Sequence, residues 1–266
     1  MHDVAAAGFA DPADYEAARP SYPDVAVDWI AQATGIAPER SVVDLAAGTG
    51  KFTRLLERFH ADLLAVEPVA GMRAALRSAA GRVPIVAGTA EAIPLRGASV
   101  DVVTIAQAWH WFDHERASAE LARVVRPGGA VAFVWNARDR SSAWVDAIWG
   151  IMDRVEKRAP WRDHENWRDS ATPMRGFEPY ETAQFRHEQP LAPDAVVRRV
   201  ASVSHVAVLP EAERQTVLDE VREVLATHPD VRGLDVVRLP YRVDCFACRR
   251  TAEAVRSRPA PPASTR

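Results

Sequence analysis

Cysteine is scarce in this sequence, long apolar runs are missing, and positive charge is not in excess. Cys245 and Cys248 are the only cysteines among 266 residues. They form a C-x-x-C motif, but the sequence has no second cysteine pair to complete a zinc site. In a strand the two side chains would point to opposite faces of the sheet. A helix that spans a bilayer needs about 20 apolar residues, and no run approaches that length. Zinc, redox and membrane roles are therefore not expected.

Targeting and charge features are also weak. The N-terminus has no charged region followed by an apolar one, so no signal peptide is predicted and a cytoplasmic location is expected. The formal net charge is −3, which gives no reason to expect nucleic acid as a partner. We expect a globular protein that is a monomer or a homodimer.

The most informative segment is a predicted strand that runs directly into a turn of small residues. The strand covers 42–45, the turn 46–50, and a helix is predicted from Lys51. Gly48 and Gly50 lack a Cβ, so a ligand can approach the backbone closely. The free N–H groups of the following helix point to the same place. Such a unit is typical of a nucleotide-type binding site.

Three kinds of ligand use such a turn. A P-loop ends in Gly-Lys-Ser/Thr, but here Phe52 follows the Gly-Lys pair and Leu45 stands where the first glycine belongs. The dinucleotide motif is Gly-x-Gly-x-x-Gly/Ala, and Thr53 occupies its third small position. S-adenosylmethionine has no phosphate and fits the turn after Asp44 best. Glu67, at the end of the next predicted strand, suits a ribose in either adenosine ligand.

Strands and helices alternate along most of the chain. Strands are predicted near 41–46, 62–67, 83–87, 100–106, 129–136, 181–189 and 235–247. Helices are predicted near 12–19, 24–33, 50–59, 69–80, 114–125, 143–158, 193–203 and 210–226. Alternation of this kind predicts an α/β fold, with a doubly wound parallel sheet and helices on both faces.

Together these motifs resemble class I S-adenosylmethionine-dependent methyltransferases of the small-molecule type, near the ubiquinone/menaquinone and trans-aconitate methyltransferase groups. Six segments carry the resemblance in the expected order: 15–23, 42–50, 67–72, 88–95, 100–112 and 126–135. One departure is Ala46, where the family more often has glycine. The resemblance implies a mostly parallel seven-stranded, Rossmann-like sheet with an antiparallel last strand and a helical or loop lid insertion.

Five regions follow from this comparison and from the predicted elements. They are an N-terminal helical cover at 1–36, an S-adenosylmethionine-binding core at 37–136, a lid and acceptor-binding insertion at 137–180, the C-terminal part of the sheet at 181–255, and a disordered tail at 256–266. The tail is rich in Pro, Ser and Arg, a composition typical of disorder.

Ligands of open α/β sheets bind at the carboxyl ends of the strands, which selects most of the candidate residues. The resemblance adds Tyr15 and Arg19, on the helix before the core. Candidate cofactor contacts are Tyr15, Arg19, Asp44, Ala46, Gly48, Gly50, Glu67, Met72, Thr89, Ala90, Glu91, Ala106 and Gln107. Candidate acceptor contacts are Trp109, Trp111, Trp135 and Asn136. The resemblance implies that Arg19 lies near the methionine carboxylate.

His110 is the candidate general base if the acceptor is a hydroxyl, although a structural histidine is the alternative. No metal is expected, because Asp113 is predicted to cap a helix rather than to join His110 and His114 as a ligand.

The predicted activity is methyl transfer from S-adenosylmethionine to a small-molecule acceptor by in-line displacement, with S-adenosylhomocysteine as product. Such a reaction depends mainly on positioning and requires little acid–base machinery. An NAD-dependent oxidoreductase and a non-catalytic S-adenosylmethionine-binding protein are the alternatives. A nucleic-acid base methyltransferase is disfavoured, because the Asp/Asn-Pro-Pro-aromatic motif is missing after the fourth predicted strand.

Overall fold

One seven-stranded sheet organises the fold in the computed structural model, which describes residues 19–156 and 174–251. Its strands, in chain order, are β1 Ser41–Leu45, β2 Asp62–Val66, β3 Ile85–Val86, β4 Val100–Ala106, β5 Val125–Arg138, β6 Glu181–Leu191 and β7 Val237–Arg249. The helices are α1 Asp24–Thr34, α2 Lys51–Leu56, α3 Ala70–Ala79, α4 His114–Val124, α5 Ala143–Glu156, α6 Pro193–Ala201, α7 Ser204–Ala207 and α8 Glu211–Thr227.

The strand order is β3-β2-β1-β4-β5-β7-β6. β1 pairs in parallel with β2 and β4, and the parallel pairing continues to β3 on one side and β5 on the other. β7 lies antiparallel between β5 and β6. The predicted doubly wound, mostly parallel sheet with an antiparallel last strand is therefore confirmed. Strand order reverses between β1 and β4, which is where such sheets bind ligands.

Side chains of each strand alternate between two apolar layers, as the pleat requires. Val43 packs on one face of the sheet and Val42 on the other. The two cysteines follow the same rule, because Cys248 belongs to the first layer and Cys245 to the second. Both are free thiols, and burial raises the pKa of each to about 12. Neither is a thiolate near neutral pH.

A third apolar cluster joins α5, α6 and α8 to the ends of β6 and β7. It includes Trp144, Ile148, Val200, Val221 and Leu239. The first helix of the predicted lid therefore packs against the helices that follow β6. None of the described helices is long and apolar enough to cross a bilayer. The predicted helix at 12–19 lies outside the described residues except for Arg19, and the predicted tail lies outside them entirely.

Three local features differ from the predicted elements. β5 continues past the predicted end at 136 to Arg138, because its pairing with β7 extends to Tyr241. The predicted helix at 50–59 changes to a 3₁₀ turn at Glu57–Phe59 and ends at His60 with a φ of 54°. A second 3₁₀ turn at Trp109–Trp111 and the four-residue α7 were not predicted, because such short turns leave no periodic apolar pattern.

Candidate active site

The turn after β1 contains three residues in the left-handed region. Ala46, Gly48 and Gly50 have φ values of 56°, 58° and 84°. A Cβ on Gly50 would lie 2.9 Å from Cγ of Leu76, so no larger residue fits there without movement. The left-handed conformation costs a residue with a Cβ about 1–2 kcal/mol. The departure from the family pattern at Ala46 therefore carries a conformational cost that glycine would not have.

Asp44 supports this turn from below. Its buried carboxylate accepts hydrogen bonds from Oγ1 of Thr53 at 2.6 Å and from Oγ1 of Thr104 at 3.1 Å. It thereby ties β1 to both α2 and β4, and it lines neither of the two cavities at this edge of the sheet. The structure gives Asp44 a positioning role. Thr53, which breaks the dinucleotide motif, is fully buried in this contact.

Asp44 should make the fold less stable as the pH rises. Burial raises its pKa from 3.8 to about 6, with Thr53 and Thr104 opposing the shift and Glu67 adding to it. Because the folded pKa is the higher one, the protonated form favours the fold. That contribution, about 3 kcal/mol, is complete below pH 3.8 and is lost as the pH passes through about 6. We expect Asp44→Asn, which cannot ionise, to abolish this loss of stability at higher pH.

Urea unfolding of both proteins at pH 4.5 and pH 7.5 checks this expectation. The difference between the two proteins isolates Asp44 from the other titrating groups. An equal fall in the free energy of unfolding with pH in both proteins would show that the Asp44 carboxylate does not titrate as expected.

Glu67 links the glycine turn to the turn after β2. Its two carboxylate oxygens accept hydrogen bonds from the backbone N–H groups of Gly48 at 2.9 Å and Val69 at 2.8 Å. Burial raises the pKa of Glu67, while these hydrogen bonds and Arg73 act in the opposite direction. A carboxylate has about four acceptor positions. Two therefore remain for the vicinal hydroxyls of a ribose.

A narrow cavity lies beside Glu67. It is lined by Leu45, Ala46, Gly48, Glu67, Pro68, Val69, Met72, Gly88, Thr89, Ala90, Glu91, Ala106, Gln107, Ala108, Trp111 and Phe112. Most of these walls are apolar, which suits a flat heterocycle. Glu91 accepts a hydrogen bond from the backbone N–H of Asp113 at 3.1 Å. Although burial alone raises the pKa of Glu91, hydrogen bonds including that of Asp113 bring it below its usual value.

A second cavity of about 790 Å³ opens on the other side of the turn. Four residues line both cavities: Ala46, Gly48, Ala106 and Gln107. The larger cavity also holds the predicted residues Arg19, His110, Trp135 and Asn136. The structure adds six side chains that were not among the candidate site residues. Arg138, Trp149 and Asp153 lie in the predicted acceptor-binding insertion, and Arg199, His205 and Arg242 lie beyond it. They come from the end of β5, from α5 to α7, and from β7.

His110 faces the larger cavity. Burial is the largest cause that lowers its pKa to about 4, and the positive charge of Arg19 and the ring of His114 contribute in the same direction. The imidazole is therefore neutral near neutral pH and able to accept a proton. This state is compatible with the predicted base.

Trp109 lies elsewhere. It is 4% exposed, stacks on the ring of His114 with centroids 4.8 Å apart, and packs edge-on against Phe112 and Phe133. It lines neither cavity, so the structure places it in the apolar core. Trp111 lines the narrow cavity instead of the larger one.

Most predicted site residues thus meet around the two cavities, with three further exceptions. Asp44 and Gly50 shape the turn without lining either cavity, and Tyr15 lies outside the described residues. Within 19–156 and 174–251, no group of three or more His, Cys, Asp or Glu side chains could hold a metal ion. Asp113 instead caps α4 by accepting from the backbone N–H of Arg116.

Comparison with known proteins agrees with this geometry. The family described as a methyltransferase domain matches residues 43–133. An uncharacterized methyltransferase of Mycobacterium tuberculosis is 42% identical over 232 residues, which cover 87% of this chain and 90% of that protein. This chain belongs to the class I S-adenosylmethionine-dependent methyltransferases. The resemblance seen in the motifs is confirmed.

Two other proteins extend the similarity of this methyltransferase. An uncharacterized methyltransferase-like protein of Schizosaccharomyces pombe is 36% identical over 238 residues, which cover 89% of this chain and 93% of that one. A solved structure from Anaeromyxobacter dehalogenans, described as a candidate type II methyltransferase, is 29% identical with a TM-score of 0.61. The aligned region covers 88% of this chain and 97% of that protein's chain. The similarity therefore reaches beyond the motif-bearing core.

Proposed function

We propose that this methyltransferase binds S-adenosylmethionine in the narrow cavity and transfers its methyl group to a small molecule in the larger one. The observation that carries the proposal is the placement of Glu67. Its carboxylate stands at the end of β2, bonded to the glycine turn, beside the point where the two cavities meet. Bound there, S-adenosylmethionine supplies an electrophilic methyl group on sulfur.

Residues around the narrow cavity suit the two halves of an adenosine. Glu67 offers acceptors to the ribose hydroxyls, and the segment Thr89 to Glu91 offers polar groups to the adenine edge. Met72 and Trp111 offer apolar surface to the faces of the ring. Arg19 lines the larger cavity near the turn and suits the methionine carboxylate.

The larger cavity suits an acceptor with an apolar part. Trp135 and Trp149 contribute apolar surface, and Asn136 Oδ1 is enclosed without a hydrogen-bond partner in the described part of the chain. For a hydroxyl acceptor, the neutral His110 would accept the proton that the hydroxyl loses on methylation. Most of the rate enhancement comes from holding the acceptor in line and excluding water.

Calorimetric titration with S-adenosylmethionine, S-adenosylhomocysteine and NAD tests the proposal. We expect micromolar binding of the first two and none of NAD, because Thr53 fills the position that a dinucleotide-binding helix needs small. Formation of S-adenosylhomocysteine with a pool of low-mass metabolites then distinguishes turnover from binding alone. NAD binding without S-adenosylmethionine binding would overturn the proposal.

A further inference from the structure

Arg199 is a buried cation, and two of its guanidinium nitrogens have no hydrogen-bond partner among the described residues. It lies on α6, is 4% exposed, and lines the larger cavity. Its Nε and Nη1 atoms are enclosed and have no hydrogen-bond partner among residues 19–156 and 174–251. An arginine side chain does not lose its proton in proteins. A charge enclosed in this way is strongly unfavourable unless an anion pairs with it.

The carboxylates that line this cavity are already engaged. Asp153 pairs with Arg140 at 2.7 Å, and Asp139 accepts from Oγ of Ser141 at 2.6 Å. Neither is bonded to Arg199. Six basic residues line the cavity against these two acids, although acidic residues outnumber basic ones in the chain as a whole. The cavity is therefore a local site of positive charge that suits an anion.

His205 lines the same cavity and also has a ring nitrogen without a hydrogen-bond partner in the described part of the chain. It lies on α7, directly after α6, is 9% exposed, and lines the cavity. Its Nε2 atom is enclosed without a hydrogen-bond partner in the described residues. Burial lowers its pKa to about 4, with Arg138 and Arg19 acting in the same direction and Asp153 against them. A neutral imidazole can donate from one ring nitrogen.

We propose that Arg199, with His205 in the same cavity, binds an anionic group of the methyl acceptor. A carboxylate or a phosphate fits, because the guanidinium fork pairs with either through two parallel hydrogen bonds. Trp135 and Trp149 supply apolar surface in the same cavity, so the acceptor combines an apolar body with one anionic end. The anion anchors the acceptor and is distinct from the atom that is methylated. This inference rests on the proposed function.

The test uses the protein saturated with S-adenosylhomocysteine and three small probes: benzoate, inorganic phosphate and the uncharged benzamide. Arg198→Gln is the matched control for Arg199→Gln, because Arg198 is the exposed neighbour on the same helix and the change of charge is identical. We expect the wild type and Arg198→Gln to bind at least one of the two anions, and none of the proteins to bind benzamide comparably. Arg199→Gln should bind the anion about tenfold more weakly or worse. Arg199→Lys, which keeps the charge, should recover part of the affinity.

Binding of S-adenosylhomocysteine by each protein, measured first, separates the possible failures. If the wild type binds it but binds neither anion, or if Arg199→Gln binds the anion as tightly as Arg198→Gln, the anion site is refuted. If Arg199→Gln loses affinity for S-adenosylhomocysteine itself, Arg199 holds the methionine carboxylate and the acceptor assignment is wrong. A wild type that does not bind S-adenosylhomocysteine refutes the proposed function instead. The choice between benzoate and phosphate identifies the anionic group.

Discussion

Replacing Glu67 with glutamine should weaken the binding of S-adenosylhomocysteine by about 10- to 100-fold. Among the described residues, the carboxylate at the end of β2 combines a buried position, contact with the glycine turn and acceptor positions that the proposed ribose can use. Glutamine keeps one acceptor oxygen but replaces the other by a donor. That NH₂ group would face a backbone N–H of Gly48 or Val69, so one hydrogen bond to the turn would be lost. The proposed contact with the ribose would lose an acceptor as well. Calorimetry on the two proteins gives the change in affinity.

Two comparisons make this experiment specific to the ribose. Glu91→Gln removes the same charge from the same cavity, and its amide oxygen can still accept from the backbone N–H of Asp113; we expect a smaller loss of affinity. The 2′-deoxy analogue of S-adenosylhomocysteine lacks one of the hydroxyls, so the penalty of Glu67→Gln should shrink for it. An unchanged affinity in Glu67→Gln, or an equal penalty for the analogue, would contradict the assigned contact.

The sheet, the glycine turn and the position of Glu67 were predictable because their signals are local in the sequence. Apolar strand segments, the glycines of the turn and a carboxylate at the next strand end lie within 42–67. The positive φ values at Gly48 and Gly50 are what the small residues indicated. Glu67 bonds to that same turn. Each of these features depends on neighbours in the chain and on the rule that parallel strands end at one edge.

The far wall of the larger cavity was not predictable in this way. Trp149, Arg199 and His205 come from three helices that meet through long-range packing with β6 and β7. A buried arginine on an amphipathic helix looks like any other basic residue in the sequence. Its distinguishing property is that two of its nitrogens have no hydrogen-bond partner in the described part of the chain, and that depends on which side chains surround it in the fold. No spacing within 193–207 encodes this property.

The segment Trp109–Trp111 shows how a short turn can redirect a motif. In a 3₁₀ turn there are about three residues per turn, so successive side chains point roughly a third of a turn apart. Trp109 accordingly packs into the core, His110 faces the larger cavity, and Trp111 lines the narrow cavity. The sequence predicted their position at the ligand edge after β4. It could not assign three directions without knowledge of the turn.

This arrangement predicts different effects for two tryptophans that are separated by one residue. Replacing Trp109 should reduce stability, whereas replacing Trp111 should reduce affinity. Trp109→Ala should lower the free energy of unfolding by about 3–5 kcal/mol, because it leaves a cavity among His114, Phe112 and Phe133. The folded protein should bind S-adenosylhomocysteine with unchanged affinity. Trp111→Ala should keep most of the stability and weaken the binding of S-adenosylhomocysteine about 2- to 10-fold, because it removes aromatic surface from the narrow cavity.

Urea unfolding and calorimetry on both variants separate the two roles. Because 3–5 kcal/mol is a large share of the stability of a typical domain, Trp109→Phe provides a milder change that keeps an aromatic ring in the core. It should lower the free energy of unfolding less than Trp109→Ala, again without a change in affinity. If either Trp109 variant is stable but binds S-adenosylhomocysteine or the acceptor poorly, Trp109 acts in the binding site and its assignment to the core is wrong. If Trp111→Ala unfolds as readily as Trp109→Ala with unchanged affinity, the 3₁₀ turn does not separate the two side chains as described.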